Sequence, residues 1–192
     1  MTAETDKKSF RRLVLSDRRA YPAERIRECS RLIAERVLGS EEYKKADTLL
    51  CFVPTEIEVD TRPIIDRAFA DGKKVAVPRC FSGRPEMAFY LISGCDDLEA
   101  GAYGILEPKE NCPECTEHSD ALCITPALCC GRDGGRMGFG RGYYDRFLAK
   151  FGGTVCAVVF GDFLFESVPT EPTDVPMDMI VTEKDIIYNL QK

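Results

Sequence analysis

Nowhere in the 192 residues do eighteen apolar side chains follow one another, which excludes an ordinary membrane-spanning helix. The opening MTAETDKKSFRR has no apolar core, so it lacks the make-up of a secretory signal. The cytoplasm is therefore the expected compartment, with no membrane partner. Positive charge is in short supply too, at 26 Lys and Arg against 32 Asp and Glu, a net charge of -6. A general nucleic-acid footprint is not expected from that balance, and an anionic ligand has to be met by a local basic site. There is a single histidine, His118, set in a polar loop.

Cysteine is plentiful at ten residues; what is missing is a second Cys-x-x-Cys to complete the half zinc site suggested by Cys112-Pro-Glu-Cys115 and His118. That segment reads as a polar loop with incidental thiols. Others, such as Cys51 in TLLCFV and Cys156 in VCAVVF, lie inside apolar runs and read as small core residues. A disulfide framework is not expected in a chain of this length without an export signal. A composition of 44% hydrophobic and 30% charged residues suits a globular domain that buries its own core.

Phe10 to Val14 belongs to a basic amphipathic helix, and a second helix starts after Pro22. Its apolar stripe is Ile26, Cys29, Ile33 and Val37, and Gly39 is its stop. Thr48 to Val53 is a continuous apolar run, read as a buried strand ended by Pro54. Asp60 or Thr61 caps a helix with Pro63 in its first turn and Gly72 at its end. Lys74 to Val77 is the next strand, ended by Pro78. This strand–helix–strand rhythm argues for a crossover unit in a parallel sheet. Met87 to Ile92, Leu122 to Thr125, Val155 to Phe160 and Met179 to Thr182 read as further strands, and the segment from Gly101 to Asp120 as loop. The expected architecture is α/β: one three-layer domain over residues 1–192, with a mostly parallel central sheet flanked by helices.

In such sheets ligands bind outside the carboxyl ends of the strands, and two loops there carry unusual chemistry. One is VPTEIEVD, after the first strand. The other, GGRMGFGRGYYDRF from Gly134 to Phe147, holds five glycines and three arginines. Glycines let backbone N–H groups converge on an anion, and a helix start adds partial positive charge. Arg136 and Arg141 add forked donors suited to phosphate. The stretch is neither a Walker A loop nor G-x-G-x-x-G, and a tight turn with solvated arginines is the alternative. By helical phase Tyr144 lies on the apolar stripe with Phe147, Leu148 and Phe151, whereas Tyr143 is turned toward the loop. Asp145 in the first turn is either a carboxylate complementing the helix dipole or a magnesium ligand.

RMGFGRGYYDRF resembles the signature of the 5-formyltetrahydrofolate cyclo-ligases. The likeness extends over most of the chain, through KKSFRR, EIEVDTRPIIDRAFADGKKVAVPR, MAFY, YGILEPKE, ITPAL and DVPMDMIVTEKD. It implies an ATP-dependent, magnesium-requiring conversion of 5-formyltetrahydrofolate to 5,10-methenyltetrahydrofolate through a phosphorylated formyl intermediate. On that pattern Lys7 and Arg11 contact ATP phosphates, although alone they would pass for a solvated helix face. Arg136, Met137, Gly138, Phe139, Gly140, Arg141, Gly142, Tyr143 and Tyr144 form the ATP loop, and Phe139 to Tyr143 also face the folate. Val53 and Glu58 fall at folate-side positions, Asp145 and Asp178 match the magnesium carboxylates, and Arg141 and Tyr143 match the residues closest to the chemistry. A monomer acting on folate and ATP is expected. The chain departs from the family at the flanks, reading Pro126-Ala-Leu-Cys-Cys-Gly131 where P-G-x-A-F-D is frequent, and Thr173 where a histidine often precedes the aspartate. A sugar-phosphate isomerase or coenzyme A transferase on a similar frame, and a non-catalytic folate or nucleotide binder, remain the competing readings.

Overall fold

The computed structural model describes residues 3–81, 83–101 and 104–189, with side chains from residue 6 onward. The two ends of the 1–192 domain, and Tyr103 of YGILEPKE, lie outside the described residues. The helices are α1 (Ala3–Arg19), α2 (Ala23–Gly39), α3 (Glu41–Lys45), α4 (Arg62–Ala70) and α5 (Tyr143–Leu148). The strands are β1 (Thr48–Cys51), β2 (Lys74–Cys80), β3 (Met87–Ile92), β4 (Leu98–Ala100), β5 (Leu106–Pro108), β6 (Ala121–Pro126), β7 (Cys129–Gly131), β8 (Arg136–Met137), β9 (Thr154–Val158), β10 (Leu164–Phe165), β11 (Met179–Val181) and β12 (Ile186–Tyr188).

Seven strands form the main sheet in the order β12-β11-β9-β6-β1-β2-β3. The inner five are parallel, and the edges β3 and β12 are antiparallel. From β1 the chain steps through α4 to β2 on one side; from β6 it steps through α5 to β9 on the other. Right-handed crossovers taken in opposite directions put α4 and α5 on opposite faces, which is the layered α/β arrangement expected. Leu49, Leu50, Cys51, Cys123, Ile124, Cys156 and Ala157 of the central strands are fully buried, as continuous apolar runs require in a sheet covered on both faces.

Three local expectations are corrected. β2 does not end at Pro78, which pairs with Phe89 of β3. The pairing of β2 with β1 stops at Ala76, so the N–H that proline lacks is not needed on that side. The segment read as loop after Gly101 contains β5, which pairs with β4 in a two-stranded sheet. The stretch after β6 forms β7 and β8, which join β10 in a small sheet; strands of two or three residues leave almost no periodicity to read. At α4 the capping work is divided. Asp60 Oδ1 accepts from the Arg62 N–H at 3.1 Å, while the Thr61 hydroxyl donates to the Phe52 carbonyl at 2.7 Å and ties the helix start to the end of β1.

The return from α5 into β9 passes Gly153, where an added Cβ would lie 2.3 Å from the Ala121 carbonyl oxygen and 2.7 Å from that of His118. Gly153→Ala is expected to cost about 2 kcal/mol, a fall in Tm of roughly 4–8 °C for a chain of this size. Gly39→Ala, with nothing within 4 Å of its Cβ position, should leave Tm unchanged or slightly raised. Calorimetric melts compare the two, and equal values would show that the turn has room.

Candidate active site

Because β1 feeds one way and β6 the other, a crevice opens between their carboxyl ends, the usual ligand position in an open α/β sheet. Residues 52–61 wall it on one side and residues 127–142 on the other. Helix α1 closes it with an inverted face. Lys7, Arg11, Val14 and Arg18 recur at spacings of four, three and four, and Lys7, Val14 and Arg18 are buried whereas Leu13 is 64% exposed. The solvated-face reading of Lys7 and Arg11 is thereby overturned. The Lys7 Nζ donates to Glu171 Oε2 at 3.1 Å and to Asp174 Oδ2 at 2.5 Å. The Arg11 Nε donates to the Gly138 carbonyl at 3.0 Å.

The glycine loop is built around these arginines. Gly140 takes φ +92°, which L side chains rarely adopt, and a Cβ there would press on the Arg11 guanidinium at 3.2 Å. Gly142, at φ 68°, turns the chain into α5. Arg136 is buried: its Nη1 donates to the Pro126 carbonyl at 3.2 Å, its Nη2 to Asp145 Oδ1 at 3.0 Å, and its Nε has no partner. Met137 is buried beneath the loop, Arg141 is exposed, and Phe139 stands out at 44% exposure. Since α5 has only six residues, the helix start contributes less to an anion site than expected and the arginines contribute more.

Tyr143 and Tyr144 are both half-buried against the core, so the helical-phase distinction does not appear as a difference in burial. In a helix of one and a half turns, neighbouring residues both fall on the flanks of one stripe. Their environments nevertheless differ. The Tyr144 hydroxyl is sealed without a hydrogen-bond partner, and burial holds its pKa well above the usual phenol value, with Cys123, Cys51 and Glu58 among the neighbours that raise it further. Its ring lies under the Arg136 guanidinium at 5.6 Å and meets Phe89 edge-on at 6.3 Å.

Glu58 is buried on the opposite wall. Its Oε2 accepts from the Thr55 N–H at 2.8 Å and the Thr55 hydroxyl at 2.7 Å. Burial raises its pKa; the Thr55 bonds and the Arg18 charge oppose that rise. Val53 continues the end of β1, half-buried against the core. The residue that sequence reasoning passed over is Arg18, fully buried beneath this wall. The signal was present in the spacing from Lys7, but an arginine in a basic helix ordinarily reads as solvated.

Magnesium held with phosphates needs one or two carboxylates and several waters. Asp145 fits that demand: Oδ1 is taken by Arg136 and, at 3.5 Å, by the Val175 N–H, while Oδ2 has no partner among the described residues. Asp178 follows Val175 by three residues, within ~10 Å along the chain, with its Oδ2 accepting from the Val155 N–H at 2.8 Å. Among the described residues no group of three or more His, Cys, Asp or Glu could hold a metal by itself, so Asp145 needs ligand oxygens beside it. The thiols are elsewhere engaged. Burial pushes Cys51 and Cys129 up to about 12, far from a reactive thiolate. Cys112 and Cys115 point their sulfurs at the Asp97 and Glu117 carbonyls. His118 packs against Phe147 and Phe151, beside the amino end of β6 and away from the crevice.

The structure thus brings together Lys7, Arg11, Arg136 to Tyr144 and Asp145, with Glu58 and Val53 across the crevice; Asp178 is not brought to them, lying at the amino end of β11 and bonded to Val155 near the amino end of β9. The family model described as the 5-formyltetrahydrofolate cyclo-ligase family matches residues 3–183. The chain is similar to the 5-formyltetrahydrofolate cyclo-ligase of Mycolicibacterium smegmatis, 31% identical over 96% of this chain and 97% of that one. It is also similar to that of Escherichia coli, at 28% identity over 91% and 98%. Among solved structures, the 5,10-methenyltetrahydrofolate synthetase of Aquifex aeolicus superposes with a TM-score of 0.84 at 29% identity, covering 97% of this chain and 94% of that one.

The Arg136–Asp145 pair generates a prediction. Asp145→Ala leaves a guanidinium only 3% exposed without its carboxylate, which should destabilise the protein by about 3 kcal/mol. Urea unfolding reads this directly, and a loss below about 1 kcal/mol would show that Arg136 is adequately served by the Pro126 carbonyl alone.

Proposed function

Because the chain belongs to the 5-formyltetrahydrofolate cyclo-ligase family, we propose that it converts 5-formyltetrahydrofolate to 5,10-methenyltetrahydrofolate at the expense of ATP, in the crevice between β1 and β6. The observation that carries this reading is the convergence of Arg11 and Arg136 on a glycine loop whose Gly140 and Gly142 keep the backbone bare. That is a cradle for a polyphosphate, with cations already in place.

The formyl oxygen of the folate attacks the γ-phosphate, ADP departs, and the oxygen becomes part of a phosphate leaving group. Nitrogen 10 then closes the ring and inorganic phosphate is released. Such a transfer asks the protein for position and charge more than for a nucleophile, and the buried, protonated thiols supply none. Lys7, Arg11, Arg136 and Arg141 face charge on the transferring phosphoryl group. Glu58 accepts hydrogen bonds from the folate, with Val53 and Phe139 against its rings, and Tyr143 lines the place where the two substrates meet. Asp145 would hold magnesium, an ion that would neutralise phosphate charge when bound. No membrane partner is invoked; among the described residues no helix is long and apolar enough to cross a membrane.

Mixing the protein with 5-formyltetrahydrofolate, ATP and magnesium at mildly acidic pH should produce the near-ultraviolet absorbance of the methenyl product, and only with ATP present. No rise would exclude the reading. Arg141→Ala should lower kcat by roughly 10²-fold while the fold is kept, and an intact rate would show Arg141 to be a surface charge only.

A further inference from the structure

We infer that Arg18 is a positioning residue for the folate side of the crevice: it fixes the Glu58 loop against the loop after β6, and the geometry of folate binding depends on it. The inference rests on the assignment of Glu58 to the folate. Four observations carry it. Arg18 is fully buried, about two turns further along the helix from Arg11, which holds the glycine loop at Gly138. Its Nε and Nη2 both donate to the Ile57 carbonyl, at 3.1 and 2.5 Å, a two-pronged grip on the residue beside Glu58. Its Nη1 reaches the Leu128 carbonyl at 3.5 Å, so one side chain spans the gap where the strand order reverses. Its guanidinium lies 4.4 Å from the Phe160 ring centroid and 5.1 Å from that of Phe163.

This grip is braced from behind. Phe160 is stacked on Tyr21 at 5.2 Å, and the turn between Phe160 and Phe163 is pinned by Glu183, whose Oε2 accepts from the Gly161 N–H at 2.7 Å. Three carbonyl bonds and two ring faces leave the guanidinium little freedom, and a fork of this shape cannot be replaced by an ammonium. Charge enters as well. The ionisable groups facing Glu58 are Arg18 from α1 and Tyr144 from α5; those facing Arg18 are Glu58, Tyr21, and Cys129 and Cys130 of β7. Burial lowers Arg18 to about 10, so it stays a cation at neutral pH and keeps Glu58 more acidic than burial alone would allow.

Steady-state kinetics on Arg18→Met, Arg18→Lys and Glu58→Gln test this. For Arg18→Met the KM for 5-formyltetrahydrofolate should rise about 10-fold or more, with the KM for ATP within about twofold. The acid limb of kcat/KM for folate should move to higher pH, since Glu58 loses the charge that opposes its protonation. Arg18→Lys should restore the pH limb but only part of the KM, because it keeps charge and loses the fork. A folate KM unchanged in Arg18→Lys, or folate and ATP KM values rising in parallel, would overturn the inference. So would a lowered yield of folded protein with wild-type constants. If Arg18→Met does not fold, the KM of Arg18→Lys decides. Glu58→Gln separates the two levels. An unchanged folate KM there removes the folate assignment itself, whereas a raised one beside unaffected Arg18 variants removes only the role of Arg18.

Discussion

Three cations on one helix face have to be taken out of water, and the arrangement of the crevice follows from where they find acceptors. An unpaired buried charge costs several kcal/mol, so each cation of α1 fixes what lies opposite it. Lys7 requires the carboxylates of Glu171 and Asp174, Arg11 requires the Gly138 carbonyl, and Arg18 requires the Ile57 and Leu128 carbonyls. The loops that bear those acceptors have no regular structure of their own to hold them. They are ordered because the helix needs them, and the helix is held because they satisfy it.

The same reasoning explains why the site has two characters. Around the glycine loop Arg11 is met by a main-chain oxygen, Arg136 by the Pro126 carbonyl and Asp145, and Lys7 by the carboxylates of Glu171 and Asp174. On the other wall Arg18 is spent on main-chain carbonyls, and Glu58 is buried with its Oε2 bonded to Thr55. A chain of net charge -6 thus sets cations on one wall of the crevice and a buried carboxylate on the other.

Much of this was legible in the residues. The parallel sheet followed from apolar runs bounded by proline and glycine, and the tight, arginine-lined turn into α5 from glycine density next to arginine. What escaped was whatever depends on partners distant in sequence. The α1 stripe was visible as a spacing, but nothing local says that a basic face turns inward; Glu171 and Asp174 decide that from the far end of the chain. Pro78 read as a stop because proline ends most strands, and only the one-sided pairing of β2 beyond Ala76 makes it tolerable. The strands β7, β8 and β10 were too short to carry a period. Tyr143 and Tyr144 do not differ in overall exposure because α5 is short, although the Tyr144 hydroxyl is sealed in the core as its phase suggested.

The order in which the chain is made gives the Lys7 contacts a further meaning. Lys7 pairs with groups 164 and 167 positions away, and Arg11 with a carbonyl 127 positions away. The inward face of α1 therefore waits for residues at least 164 positions further along the chain before it is covered. Contacts of such separation form slowly, and a half-made chain carries its cationic helix unpaired. The crossovers β1–α4–β2 and β6–α5–β9 join residues far closer in sequence, so loop closure favours the sheet core before the docking of α1.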